Sequence, residues 1–207
     1  MTQATFYFDL GSPFAYLTAE RISEVLPKPV RWQPVSLGAI FKLTGRSSWA
    51  MGTPDSRQAG MDEVERRARL YGLPAMRWPD PWPTNYLFAM RAATYAFQVG
   101  RGHEFTMQAF RHAFQHGSDL AIHEHVLQAA TDVGLDADTV GKATSDPEIK
   151  LALRTATDAA CALGVFGVPT IAVADELFWG DDRLKDAADL LENRQLTQQP
   201  VILPLEP

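Results

Sequence analysis

The stretch Phe6-Tyr7-Phe8-Asp9-Leu10-Gly11-Ser12-Pro13-Phe14-Ala15-Tyr16 constrains this chain most. Phe6 to Phe8 are short, aromatic and followed by turn residues, the pattern of a buried strand. Gly11 permits a tight exit. Ser12 stands where a helix N-cap belongs, and Pro13 suits the first helical position because its missing N–H would be unpaired there anyway. Phe14, Leu17, Ile22 and Val25 then recur at helical spacing. The segment reads as strand, turn and helix, with a hydroxyl at the helix N-terminus. On these residues alone Ser12 is either an ordinary cap or a group presented to a ligand.

The 207 residues, 46% of them apolar, suffice for one compact unit or for a domain carrying a large insertion. Net charge is 19 − 25 = −6, which provides no basic field for nucleic acid or an anionic membrane. No apolar run reaches membrane-spanning length. The first strand starts almost at once, so the reading expects no signal peptide and a cytoplasmic protein. The single cysteine, Cys161, excludes an intramolecular disulfide and a Cys-x-x-Cys pair. It lies in Ala159-Ala160-Cys161-Ala162-Leu163, and is expected to be buried in a helix as a small apolar residue.

Val30, Trp32 and Pro34 alternate with polar residues as in a strand, and Leu37 to Lys42 reads as a short helical or irregular turn. Residues 44–60, rich in Gly, Ser, Pro and Arg, are expected to form a loop. Met61 to Tyr71, dense in Glu and Arg, is an amphipathic helix. Arg77 to Pro83 is an ordered loop, after which Asn85 is placed to cap a helix. Helices are expected over 86–99, 105–116, 122–133 and 137–144. Another opens at Asp146-Pro147-Glu148, with cap, Pro and first-turn acid in order. Gly164 to Thr170 leads into a strand at 171–173, a turn at 175–176 and a strand at 177–179. Gly180-Asp181-Asp182-Arg183 opens the last helix, and an apolar, proline-broken tail follows from Gln195. The reading divides the chain into a discontinuous domain of residues 1–40 and 146–195, a helical insertion of residues 41–145 and a tail of residues 196–207. His112 and His116 share a helical face and His123 and His125 follow, but no further ligand is suitably spaced, so no metal site is expected.

Phe-Asp-Leu-Gly-Ser-Pro-Phe-Ala-Tyr near the start, Leu37-Gly38-Ala39-Ile40-Phe41-Lys42, Pro81-Trp82-Pro83-Thr84-Asn85, Gly167-Val168-Pro169-Thr170 and Phe178-Trp179-Gly180-Asp181-Asp182-Arg183-Leu184 occur in this order along most of the chain. Together they resemble the DsbA-related branch of thioredoxin-like proteins that contains the 2-hydroxychromene-2-carboxylate isomerases and the kappa-class glutathione transferases. The resemblance implies an α/β thioredoxin-like fold, a mixed four-stranded sheet with a large all-helical insertion. It implies glutathione as cofactor. Ser12 would be the catalytic residue, donating a hydrogen bond to the glutathione sulfur; Ser12 and Ala15 stand where thiol-disulfide oxidoreductases of this fold carry two cysteines. Val168, ahead of a typically cis Pro169, would pair with the cysteinyl part, and Gly180, Asp181 and Asp182 would take the γ-glutamyl end. Lys42, Trp49 and Asn85 would contact a small aromatic or unsaturated carbonyl substrate. Trp49 could equally be a packing anchor and Asn85 only a cap. Residues 45–60 depart from the family pattern, which puts the substrate in question. Isomerisation by reversible thiolate addition during aromatic breakdown is the activity implied, in a homodimer. Kappa-type transfer to other electrophiles, or a non-enzymatic cysteine-free binding module, are the alternatives.

Overall fold

A computed structural model describes residues 3–27 and 29–196. Strand β1, Ala4–Phe8, lies centrally: it pairs in parallel with β2, Arg31–Pro34, and antiparallel with β3, Thr170–Val173. Strand β4, Glu176–Trp179, pairs antiparallel with β3, so the order is β2-β1-β3-β4. β1 and β3 are covered on both faces, and their sequences Ala-Thr-Phe-Tyr-Phe and Thr-Ile-Ala-Val accordingly do not alternate in polarity. The expected thioredoxin-like mixed sheet is present.

Helix α1, Pro13–Val25, links β1 to β2 and begins as its residues predict: the Ser12 side chain accepts from the Ala15 N–H, and Pro13 occupies the first position. Between β2 and β3 run α2, Leu37–Thr44; α3, Pro54–Leu70; α4, Leu87–Gln98; α5, Gly102–Phe114; α6, His123–Asp132; α7, Ala137–Ala143; and α8, Pro147–Ala162. After β4, a single 3-10 turn, Asp181–Arg183, leads into α9, Leu184–Leu196.

The expected loop over residues 44–60 is corrected. Trp49–Met51 form a 3-10 turn, and α3 starts at Pro54 with Thr53 as N-cap and Asp55 in its first turn. Gly60 has a packing reason to sit in this helix: a Cβ there would lie 2.2 Å from the Trp49 ring. Asn85 is not itself the N-cap of α4; Tyr86 holds that position, while the Asn85 side chain accepts from the Leu87 N–H at 3.0 Å. The turn between the last strands falls at Ala174-Asp175, because Glu176 already pairs with Val173. The expected tail starts later than Gln195, since α9 continues to Leu196; the remainder of that tail lies outside the described residues.

One hydrophobic core joins the sheet to the long helical segment. Phe6 and Phe8 meet Trp32, and Phe8 also meets Phe97 of α4 and Phe110 of α5. The aromatic contacts then continue through Tyr16, Phe114, Trp78, Trp82 and Trp49 to Phe14 in the first turn of α1. On the opposite face of the sheet, Tyr7, Val168 and Ala172 pack with Ile40 of α2 and Ala160 of α8. Full burial of a Phe contributes roughly 1.5–3 kcal/mol, so these rings couple the insertion to the sheet strongly. Ser12 lies at the rim where the rings end. No helix among the described residues is long and apolar enough to cross a membrane.

Candidate active site

Ser12 is only 5% exposed. Its backbone N–H donates to the Asp9 carbonyl at 3.0 Å, which fixes the turn out of β1. Its Oγ accepts from the Ala15 N–H at 3.2 Å and donates to the Val168 carbonyl at 3.4 Å, a long bond for a hydroxyl donor. The first-turn N–H groups of α1 carry partial positive charge beside that oxygen. Residues 156 apart in sequence are thus joined at one point.

The Val168-Pro169 bond is cis, and the Pro169 carbonyl accepts from the Gly180 N–H at 3.0 Å. This places the Gly180–Arg183 turn against the same segment. Gly180 has φ 114°, a backbone conformation that requires glycine.

The two aspartates of that turn occupy different environments. Asp181 is 1% exposed; its carboxylate accepts from Arg67 Nη1 at 2.6 Å and from the Tyr71 hydroxyl at 2.9 Å. Asp182 is exposed, 3.6 Å from the same guanidinium. Burial pushes the Asp181 carboxyl up, against the pull of Arg67 and the Tyr71 hydrogen bond. Burial alone would lower Arg67, but Glu63, Asp181 and Asp182 together hold it above the ordinary arginine value. The Arg67 guanidinium also lies 5.4 Å from the Phe14 ring centre. Helix α3 therefore closes one side of the Ser12 site, a contribution with no local trace in the sequence.

Asp9 is a second residue that sequence reasoning passed over. Its carboxylate accepts from the Gly11 N–H and the Leu37 N–H, each at 2.8 Å, and so ties the Ser12 turn to the start of α2. The available signal was an acid between Phe8 and Leu10, inside an apolar run. Burial, opposed by those two backbone bonds, pushes its pKa up to about 6. An acid raised in the folded state ionises more readily once unfolded. Its stabilising contribution is therefore complete below the unfolded value near 4 and is lost as pH rises through about 6. We expect the stability of the wild type relative to Asp9→Asn to fall by about 2–3 kcal/mol between pH 4 and pH 7 in urea denaturation. A pH-independent difference would contradict the burial argument.

Gly11 permits the close approach of the Tyr86 ring, since a Cβ would stand 2.4 Å from Tyr86 Cδ2. Burial pushes the Tyr86 hydroxyl up to about 12, so it stays protonated at neutral pH.

Ser12, Val168, Pro169, Gly180, Asp181 and Asp182 form one neighbourhood. The three residues considered for substrate contact are dispersed around it. Trp49 reaches it through Phe14, at 6.0 Å between ring centres, while also seating on Gly60 and on Trp82 at 5.3 Å, so it serves as a packing anchor beside the site. Lys42 is exposed in the last turn of α2, at the far end from the Asp9 contact. Asn85 is exposed and opens on a cleft between α4, α6 and α7.

The histidines have separate partners. His112 meets Asp132 at 2.8 Å, His125 meets the Asp119 carbonyl at 2.8 Å, and His123 stacks on Phe88. Cys161 is half-buried rather than fully buried, because it lies at the edge of the α8 stripe, and burial together with Asp158 raises its thiol pKa.

The arrangement offers a hydroxyl at the positive end of a helix, a carbonyl edge ahead of a cis proline and a turn bearing an exposed carboxylate. These features suit an anionic sulfur on a peptide-like ligand.

Comparison with known proteins gives a consistent result. The family model described as DSBA-like thioredoxin domain matches residues 3–192. A 2-hydroxychromene-2-carboxylate isomerase of Sphingobium xenophagum is 28% identical over 199 residues, covering 91% of this chain and 95% of the relative. Glutathione S-transferase kappa 1 of Rattus norvegicus is 25% identical over 214 residues, covering 95% and 94%. A solved structure of a 2-hydroxychromene-2-carboxylate isomerase superposes with a TM-score of 0.80 at 23% identity, covering 95% of this chain and 98% of that one.

Proposed function

The chain belongs to the DSBA-like thioredoxin domain family, and from that premise we propose that it is a glutathione-dependent isomerase of the 2-hydroxychromene-2-carboxylate isomerase type. The observation that carries the reading is the Ser12 hydroxyl, held at the N-terminus of α1 and joined to the carbonyl ahead of cis Pro169. The relatives named as isomerases support it.

The residues fit glutathione. Ser12 Oγ has a long bond to Val168 O and can turn its proton toward a sulfur, while the vacated Val168 carbonyl accepts a peptide N–H. Asp182, exposed beside the turn, pairs with an ammonium, and the backbone of Gly180–Arg183 receives a carboxylate. When bound there, glutathione would supply a thiolate for reversible addition to a carbon conjugated with a carbonyl, the chemistry that interconverts the two geometries of a conjugated double bond.

The chain's task is to favour the thiolate and orient the acceptor. A free thiol has a pKa near 8.5, and holding it about two pH units lower requires roughly 2.7 kcal/mol. A hydroxyl hydrogen bond to a charged acceptor contributes about 1.5–3 kcal/mol and a helix end about 0.3–1 kcal/mol. The two together reach the amount required without a basic side chain. Trp49, which reaches the site through Phe14, bounds the ring of the substrate.

The rat relative makes transfer to other electrophiles the second reading of the same site. Assays with glutathione against hydroxylated cis and trans arylidene pyruvates and against alkyl and aryl halides separate the two. We expect net isomerisation with glutathione unconsumed. Stoichiometric loss of glutathione to a stable conjugate, with no isomerisation, would replace the first reading by the second.

A further inference from the structure

The helical segment contains a cleft of about 510 Å³ between α4, α6 and α7. Its lining includes Asn85, Phe88, Arg91, His123, Leu127 and Thr144, and none of the residues grouped around Ser12. A cleft of this volume falls in the range of small-molecule sites, and its lining combines polar with apolar side chains.

Two features indicate what it would hold. Phe88 of α4 and His123 of α6 stack face to face, 3.7 Å between ring centres and 10° between planes, so Phe88 backs one face of the exposed His123 ring and leaves its outer face open. Arg91 lies one helical turn beyond Phe88 on the same face of α4. Its guanidinium reaches only the Thr144 carbonyl, at 3.5 Å, and among the described residues it has no ion pair with a carboxylate within 4.0 Å. No acidic residue lines the cleft. A half-buried guanidinium with no carboxylate partner among the described residues, beside the open face of His123, suits a planar anion: its fork matches a carboxylate in bidentate fashion, and the outer ring face matches a ring.

We propose that this cleft is a binding site for a planar aromatic carboxylate, with the Phe88–His123 stack receiving the ring and Arg91 the carboxylate. The inference does not depend on glutathione or on Ser12.

Calorimetric titration of the full chain with trans-cinnamate, beside the neutral cinnamyl alcohol, tests it. Saturable cinnamate binding is expected in the wild type and in Ser12→Ala alike, with at least tenfold weaker binding of the alcohol. Arg91→Gln should weaken cinnamate at least tenfold, and Arg91→Lys, which keeps the charge but not the fork, by less. Circular dichroism establishes that these variants are folded, and ligand-induced shifts of the His123 ring protons in NMR locate the site. Absence of saturable binding at millimolar cinnamate, undiminished affinity in a folded Arg91→Gln, or no response of the His123 ring would each overturn the proposal. Because none of these readouts uses glutathione, their failure leaves the Ser12 reading intact, and the converse also holds.

Discussion

Arg67→Ala is expected to lower the stability of the protein by about 3–5 kcal/mol, because it leaves a buried carboxylate without its cation. Asp181 is 1% exposed and its charge is met by one guanidinium, at 2.6 Å, and one phenol, at 2.9 Å. The Tyr71 hydroxyl alone cannot offset the desolvation of the ion. The same substitution also removes the Glu63 contact, but that pair is partly exposed, and such pairs contribute about 0–1 kcal/mol. Arg66→Ala, which breaks only the exposed Glu63–Arg66 pair, is the internal control and should cost less than about 1 kcal/mol. Replacing Arg67 and Asp181 together by leucine and asparagine should recover much of the loss, since the uncompensated charge is then absent. Urea denaturation of the four proteins reads these differences. Equal, small effects of Arg66→Ala and Arg67→Ala would show that Asp181 is not held by this pair. The link joins α3 to the turn between β4 and α9, so a loss there also bears on the site.

Ser12→Ala is expected to reduce turnover about a hundredfold or more while costing the fold only about 1 kcal/mol. The structural loss is that of an N-cap, which costs about 0.5–2 kcal/mol. The chemical loss is the preference for the thiolate, and roughly 2.7 kcal/mol corresponds to about a factor of 100 in rate. The long bond to Val168 O adds little to stability, so most of what the hydroxyl does is available for a ligand. Steady-state kinetics at saturating glutathione, beside urea denaturation of the same variant, separates the two contributions. A variant with unchanged turnover would reduce Ser12 to a cap.

The parts of the fold legible in the sequence were those whose signals are local. Aromatic β1, Gly11, the Ser12 cap and Pro13 stand side by side, and the Asp146-Pro147-Glu148 start of α8 is equally compact. The start of α3 carries the same kind of signal in Thr53-Pro54-Asp55. There the surrounding Gly, Ser and Arg residues outweighed it, and the reason Gly60 is tolerated, the Trp49 ring, becomes visible only in three dimensions. For the site, Ser12, Val168 and the Gly180 turn could be read from motifs in order. The pairing of Arg67 with Asp181 could not, because it spans 114 residues and nothing near either residue signals the other. Asp9 illustrates a third case. Its neighbours mark it as an acid in an apolar setting, but its partner Leu37 offers only a backbone N–H, which leaves no side-chain pattern to detect. Asn85, which the sequence places as a cap, bonds the backbone of α4 from one residue ahead of the cap position.

The central claim is that Ser12 holds a ligand thiolate. Ultraviolet difference absorbance during a glutathione titration near neutral pH, on wild type and Ser12→Ala, tests it most directly. The account predicts a saturable thiolate band in the wild type that is absent from the variant, while the variant remains folded. A band of equal size in both proteins, or none in the wild type at saturating glutathione, would contradict it.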